Sequence, residues 1–249
     1  AYVVIRGMAF LGDALAHSLL PGVAIAFLNY GSSRASLLIG GLIGAVVSAL
    51  GIGWLTRGGR LREDTAIGIV FAGMLALGIG LISKAQNYAV DLTHILIGNI
   101  LTVGSDDLLL ITIIGMIVLV VITLLYKELL VVSFDPTLAQ TLRLPAERLR
   151  LALLVLLAVT IVIGVQVAGV ALVAAMLVTP AAAARLFVKR LHHLMLVAAA
   201  FGAGSGVIGL YAAWHLQIAA SAAIVLTMTA VFLLAFLFAP GKGYVWSLR

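Results

Sequence analysis

The chain has 249 residues, of which 64% are hydrophobic and only 10% are charged. A soluble domain carries roughly 25% charged residues, so these side chains could not cover a water-facing surface. The absence of cysteine excludes disulfides and thiolate metal ligands. A net charge of +6 on so few charged groups favours basic residues that orient membrane loops over nucleic-acid binding.

Apolar segments of about 18 to 22 residues recur along the chain, long enough to cross a hydrocarbon core of roughly 30 Å as helices. The opening residues, AYVVIRGM, carry neither a starting Met nor a charged leader. We expect residues 1–5 to be the end of a first helix whose N-terminal part lies outside this sequence. Eight further spans are predicted at about 10–28, 36–55, 66–83, 108–126, 151–168, 170–188, 194–214 and 218–238. The sequence therefore predicts an all-α integral membrane protein, a polytopic bundle of eight or nine transmembrane helices that forms one domain over 1–249.

Basic residues cluster in alternate connections between these spans. The clusters are Arg57, Arg60 and Arg62; Lys127, Arg143, Arg148 and Arg150; Arg185, Lys189 and Arg190; and Lys242 and Arg249. Cytoplasmic loops carry an excess of Lys and Arg, so these connections and the C-terminus are predicted to be cytoplasmic. The segment 10–28 then runs outward.

An acid and an imidazole lie four residues apart in the first complete span, FLGDALAHSLLPGVAIAFL. Asp13 and His17 share one side of a helix, where they offer the oxygen and nitrogen ligands that suit Mn(II), Fe(II) or Zn(II). Ionisable residues inside a membrane are costly and are usually functional. The spacing predicts contact with a metal ion, and it leaves open a structural hydrogen-bonded pair or a proton relay.

The connection at 84–107 is too long for a turn and is half apolar. We expect a short helix near 93–103 at the outer surface. Asp91 and His94 lie where this helix would begin, and they could pass a cation inward. A helix cap with an interfacial histidine is the alternative interpretation.

The connection at 126–150 separates two spans on the predicted cytoplasmic side. Asp135 followed by Pro136 is typical of a helix start, because the carboxylate caps free N–H groups and proline fits the first turn. A short helix is predicted from Pro136 to about Leu142, lying along the membrane face where another protein could grip it.

Small residues spaced four apart let helices approach closely in lipid. The pairs Gly40/Gly44 and Gly202/Gly206 have this spacing and predict a compact bundle. No G-x-x-x-x-G-K-[ST] loop occurs, so the chain cannot hydrolyse ATP in the usual P-loop manner, and we expect no catalytic role.

Four stretches in order give the chain a resemblance to a known family. VVIRGMAFLGDALAHSLLPGVAIAFL, ILIGNILTVGSDDLLL (95–110), residues 131–186 and IVLTMTAVFLLAFLFAPGKGYV (224–245) resemble the signature, outer segment, coupling region and last helix of manganese, zinc and iron ABC transporter permeases. The match covers nearly the whole chain. One departure is Arg143, since the family often has glycine before the Leu-Pro of the coupling loop.

This resemblance implies a fold similar to the membrane subunit of the vitamin B12 importer, working as a homodimer in a bacterial plasma membrane. Each permease would dock a cytoplasmic ATP-binding subunit, and an extracytoplasmic binding protein would deliver the transported Mn, Zn or Fe ion, with no permanently bound cofactor. It places the Asp13–His17 pair on the ion path. Within the coupling loop at 131–150, the residues that would press on the ATPase are Phe134, Asp135, Pro136, Ala139 and Leu144.

Two other functions remain compatible with the sequence. A secondary transporter could couple metal entry to protons through Asp13 and His17. A non-transporting membrane scaffold would use the bundle only to bind partners. The capped inner helix and the lack of internal repeats speak against the secondary transporter.

Overall fold

A computed structural model describes residues 1–31, 33–83, 100 and 103–239 of the chain. These residues form twelve α-helices and no strand. The helices are α1 (Tyr2–Ile5), α2 (Leu11–Ser18), α3 (Leu20–Tyr30), α4 (Arg34–Leu55), α5 (Glu63–Ile82), α6 (Ser105–Leu124), α7 (Tyr126–Phe134), α8 (Pro136–Thr141), α9 (Ala146–Ala168), α10 (Val170–Phe187), α11 (Leu191–Leu216) and α12 (Ala220–Phe238). A 3-10 turn, Arg57–Gly59, follows α4.

Eight stretches of the described chain are long and apolar enough to cross a membrane. They are Leu11–Tyr30, Ala35–Leu55, Glu63–Ile82, Ser105–Leu124, Ala146–Ala168, Val170–Phe187, Leu191–Leu216 and Ala220–Phe238. The predicted all-helical membrane fold and its eight complete spans are therefore confirmed. Residues 1–5, expected to end a further helix, form only the four-residue α1.

The first span is broken where the sequence predicted one helix over 10–28. Helix α2 ends at Ser18 and α3 begins at Leu20, with Pro21 in its first turn. Proline has no N–H, so Pro21 cannot donate the regular i to i−4 hydrogen bond to the carbonyl of His17. The break is a single residue, because Leu19 keeps helical dihedral angles (φ −73°, ψ −20°), and the predicted span is confirmed as Leu11–Tyr30.

Glycines let α3 and α4 approach at backbone distance. A Cβ added to Gly22 would overlap the carbonyl oxygen of Gly40, and one added to Gly44 would lie 3.2 Å from the carbonyl oxygens of Ser18 and Leu19. The close approach predicted from Gly40/Gly44 is confirmed. The second pair differs: a Cβ on Gly202 would lie 3.7 Å from the side chain of Pro180, and one on Gly206 would meet nothing within 4 Å.

The main hydrophobic core lies where α2 packs among the spans around it. Leu11, Leu15, Ile52, Ile67 and Ile161 are all almost fully buried in it. This core holds α2 from several sides, and so fixes which face of α2 is left uncovered.

The predicted short helix of the 126–150 connection is present as α8. The Asp135 carboxylate accepts a hydrogen bond from the Leu138 N–H at 2.9 Å, as expected of a helix cap. At the other end, the N–H groups of Arg143 and Leu144 donate to the carbonyls of Gln140 and Ala139. Arg143 is left-handed, with φ of 53°. This is a Schellman ending, in which glycine is the usual residue at the left-handed position.

Candidate metal and coupling sites

Asp13 and His17 lie together on α2. The His17 Nε2 and the Asp13 Oδ1 are 3.6 Å apart, one helical turn from each other. The His17 Nδ1 is buried and has no hydrogen-bond partner among the described residues. The edge of the imidazole faces Phe71 of α5, with ring centroids 5.8 Å apart.

The pair occupies a face of α2 that the described residues leave open. Phe10, Asp13 and His17 follow the helical spacing i, i+3, i+7, and their side chains are partly exposed, by 40% for Asp13 and 28% for His17. The intervening residues Gly12, Ala14, Leu15, Ala16 and Ser18 are buried. The carboxylate and the imidazole therefore reach the surface of a membrane-spanning helix without a fixed cationic partner in the described part of the chain.

Close packing on the opposite side of α2 determines which way Asp13 and His17 point. A Cβ on Gly12 would lie 2.6 Å from the Leu177 side chain, so this side chain of α10 packs directly on the backbone of α2. On the open side, Phe71 contacts both the Phe10 and His17 rings, with centroids 5.4 Å and 5.8 Å away. An apolar wall thus borders the polar pair. Phe71 was missed by sequence reasoning, since nothing local connects α5 to α2.

The described residues of one chain bring together only two candidate metal ligands, Asp13 and His17. No group of three or more His, Cys, Asp or Glu side chains that could hold a metal occurs among the residues that the structure describes. Asp13 and His17 offer one carboxylate and one imidazole, whereas a transition-metal ion takes four to six ligands. Further ligands must come from water, a second copy or another part of the system. Asp91 and His94 lie outside the described residues.

The residues expected to contact the ATPase divide into two groups. Ala139 is fully buried, and Leu144 packs with it in a small cluster that includes Leu149 of α9. Phe134 is 54% exposed at the end of α7, Asp135 caps α8 and Pro136 begins it. One group anchors α8 to the bundle, and the other shapes its free side.

Sequence reasoning missed two exposed residues of this free side. Leu138 and Leu142 are 44% and 55% exposed. Together with Phe134 they follow the spacing i, i+4, i+8, a pattern that could have found them. Phe134 ends α7, while Leu138 and Leu142 lie in and just after α8. We call these three exposed apolar side chains the apolar ridge; they lie at the basic end of the bundle, the end that holds Arg6, the α4–α5 connection and the 126–150 connection.

A cluster of opposite charges joins four segments at the basic end. The Arg6 guanidinium donates to the Glu63 carboxylate at 2.6 Å, and Arg150 lies 3.6 Å from the same carboxylate. Arg150 also donates to Glu147 at 3.0 Å and to the carbonyl of Gly53 at 3.0 Å, in the last turn of α4. Burial lowers the pKa of the Arg6 guanidinium, and the neighbouring Glu63 carboxylate opposes this shift. The cluster ties the residues just before α2 to α4, α5 and the first turns of α9.

Comparison with known proteins identifies the family to which this chain belongs. The ABC 3 transport family matches residues 1–239. The chain is 43% identical to the manganese transport system membrane protein MntC of Listeria monocytogenes, over 99% of this chain and 86% of that protein. It is 38% identical to a probable iron transport system membrane protein of Haemophilus influenzae, over 94% of this chain and 84% of that protein.

A solved structure has the same fold. PsaBC from Streptococcus pneumoniae, in complex with Fab, superposes with a TM-score of 0.83 at 37% identity, covering 100% of this chain and 88% of that chain. Family, sequence and fold agree along nearly the whole length. The chain is a multi-pass membrane protein that belongs to the ABC 3 transport family of metal ABC transporter permeases.

Proposed function

We propose that this protein is the permease subunit of an importer that moves a divalent transition-metal ion into the cytoplasm, with ATP hydrolysed by a separate subunit. The observation that carries the proposal is the open face of α2, where Asp13 and His17 are partly exposed within a membrane span. A carboxylate facing hydrocarbon would be strongly unfavourable. If the open face of α2 instead lines a polar path for a cation, the Asp13 carboxylate faces water and the ion rather than lipid.

The ion path lies between two copies of the chain. One copy offers two ligands, so two copies related by a two-fold axis offer two carboxylates and two imidazoles. The Asp13 carboxylates offset the positive charge of the ion in a low dielectric. The His17 imidazoles favour Mn(II), Fe(II) or Zn(II) over Ca(II) and Mg(II), which prefer oxygen ligands.

The ATP-binding subunit docks on the basic end, which is the cytoplasmic side. The apolar ridge of Phe134, Leu138 and Leu142 enters a groove of that subunit, while Ala139 and Leu144 transmit its movement to α9 through their packing. An extracytoplasmic protein delivers the ion at the opposite end. The connections that carry the basic clusters, and the C-terminus, are then cytoplasmic.

Manganese is the cargo to test first. The relatives described above are named for manganese and for iron transport. A mixed carboxylate and imidazole site suits both ions, so the ligands alone do not separate them. Uptake of Mn(II) measured against equal concentrations of Fe(II), Zn(II) and Ca(II) decides the order of preference.

The decisive experiment uses the complete transporter in proteoliposomes. Asp13→Asn keeps the size of the side chain and removes its charge, and His17→Ala removes the imidazole. We expect each variant to lose at least tenfold of ATP-dependent Mn(II) uptake while it still assembles with the ATPase. His215→Ala, on the exposed end of α11, is the matched control and keeps wild-type uptake.

The proposal fails if Asp13→Asn and His17→Ala transport at the wild-type rate. It also fails if a pH gradient drives uptake by the permease without the ATPase, which is the behaviour of a secondary transporter. Normal assembly with no metal movement in the wild-type complex would indicate a scaffold.

A further inference from the structure

A pocket of about 260 Å³ opens at the basic end between the last turn of α4 and the first turns of α9. Its lining combines aromatic, charged and aliphatic side chains, which are Leu50, Trp54, Arg57, Glu147, Arg148 and Leu151. Trp54 is 64% exposed at the end of a membrane span. Tryptophan at such a position typically lies at the level of the lipid headgroups.

The charges at this pocket sum to an excess of positive charge. Glu147 is half exposed, and its carboxylate pairs with Arg150 at 3.0 Å. Arg57 and Arg148 are both exposed, and the structure gives neither of them an acidic partner within the described part of the chain. Two guanidinium groups therefore stand at the mouth of the pocket, each able to donate two hydrogen bonds to one anion.

The pocket continues into an apolar stripe along α4. Ile39, Ile43, Val47, Leu50 and Trp54 follow one another at helical spacing, and each is between 46% and 64% exposed. The stripe runs about 22 Å along the helix, at 1.5 Å per residue. That length accommodates most of an extended acyl chain. The apolar stripe and the cationic pocket together have the shape and polarity of a phospholipid.

We propose that this pocket is a binding site for one anionic phospholipid. The lipid phosphate lies between Arg57 and Arg148, its glycerol contacts Trp54, and one acyl chain follows the α4 stripe toward Ile39. A lipid fits better than a water-soluble protein partner, because the apolar half of the site lies within the membrane span, where such a partner cannot reach. The site is independent of the metal pathway and of the proposed transport function.

The test is native mass spectrometry of the purified full-length permease, titrated separately with dioleoylphosphatidylglycerol and dioleoylphosphatidylcholine. An Arg near an anionic membrane surface contributes about fivefold in affinity. We therefore expect Arg57→Gln and Arg148→Gln to weaken phosphatidylglycerol binding about fivefold each. The double variant should weaken it about 25-fold, to the affinity that the wild type has for phosphatidylcholine.

Arg60→Gln/Arg62→Gln is the matched control, since it removes the same amount of charge from the connection that holds Arg57, at exposed positions that do not line the pocket. It should keep wild-type affinity, and elution of each variant as a single peak in size-exclusion chromatography checks its folding. Glycerol phosphate, which has the headgroup chemistry without acyl chains, should not displace the lipid.

Three results would overturn the proposal. The first is equal phosphatidylglycerol affinity in the wild type and the Arg57/Arg148 double variant. The second is the same loss in the Arg60/Arg62 control, which would indicate unspecific surface charge. The third is unchanged lipid binding together with loss of the co-purified ATPase or of the permease dimer, which would assign the pocket to a protein interface.

Discussion

Gly40→Ala tests whether the close approach of α3 and α4 holds the bundle together. The added Cβ would lie 2.6 Å from the Cβ of Ala26 and 3.0 Å from the carbonyl carbon of Gly22, and it would overlap the carbonyl oxygen of Gly22. Non-bonded carbon atoms prefer separations of about 3.5 to 4.0 Å. Because two of these neighbours are backbone atoms, no side-chain rotation relieves the overlap, and the two helices must move apart.

The magnitude follows from two opposing terms. Overpacking of this kind costs about 1 to 3 kcal/mol. Replacing glycine by alanine within a helix stabilises the folded state by about 0.5 to 1 kcal/mol, because alanine loses less backbone entropy on folding. The net loss is therefore about 0 to 2.5 kcal/mol, and its central value of about 1 kcal/mol lowers the unfolding midpoint by about 2 to 4 °C for a chain of this size.

Gly206→Ala is the matched control, because Gly206 stands in the same small-xxx-small spacing and a Cβ there meets nothing within 4 Å. Only the helix term applies, so the midpoint should rise by about 1 to 4 °C. Thermal unfolding of both variants in one detergent, followed by tryptophan fluorescence, measures the difference. Equal shifts in the two variants would refute the packing argument.

Three further predictions concern the basic end. Asp135→Ala removes the cap of α8 and should cost about 1 kcal/mol, seen as roughly fivefold faster hydrogen exchange over residues 136–141. Arg143→Gly relieves the left-handed backbone at φ of 53° and should slow the same exchange by a similar factor. Arg150→Met leaves the Gly53 carbonyl without its guanidinium donor and Glu63 with Arg6 alone, and should cost about 2 kcal/mol in thermal unfolding.

Conservative controls accompany these predictions. Asp135→Asn retains an oxygen that can accept from the Leu138 N–H and should exchange like the wild type. Arg143→Val, which makes the left-handed backbone harder to adopt, should exchange faster than the wild type. Arg60→Met removes an exposed arginine and should change stability by about 0.5 kcal/mol or less. Identical unfolding of the Arg60 and Arg150 variants would contradict the role given to the charge cluster.

The membrane fold could be predicted from the sequence because its signals are local. Twenty apolar residues in a row specify a span without reference to the rest of the chain. Asp135-Pro136 specifies a helix start in the same way, and α8 begins at Pro136. The break after Ser18 was equally local, since Pro21 cannot donate to the His17 carbonyl, and a stricter use of that rule would have found it.

Only part of the candidate metal site could be predicted from the sequence. The spacing of Asp13 and His17 placed them one turn apart, and the structure brings them to 3.6 Å. Their exposure, and the wall that Phe71 forms beside them, depend on which faces of α2 the other helices cover. No local pattern carries that information.

By itself the sequence determined the number of spans, the position of the short helix α8 and the ligand types that Asp13 and His17 offer. Only the tertiary structure decided which glycines make close contacts. Gly40 and Gly206 lie in identical sequence spacings, but Gly40 packs against the backbone of a neighbouring helix whereas Gly206 faces open space. It alone also joined Glu63 to Arg150 across 87 positions of the chain, a contact at 3.6 Å. Periodicity fixes what a residue's own helix does, whereas the partner of a side chain is set by how separate helices pack.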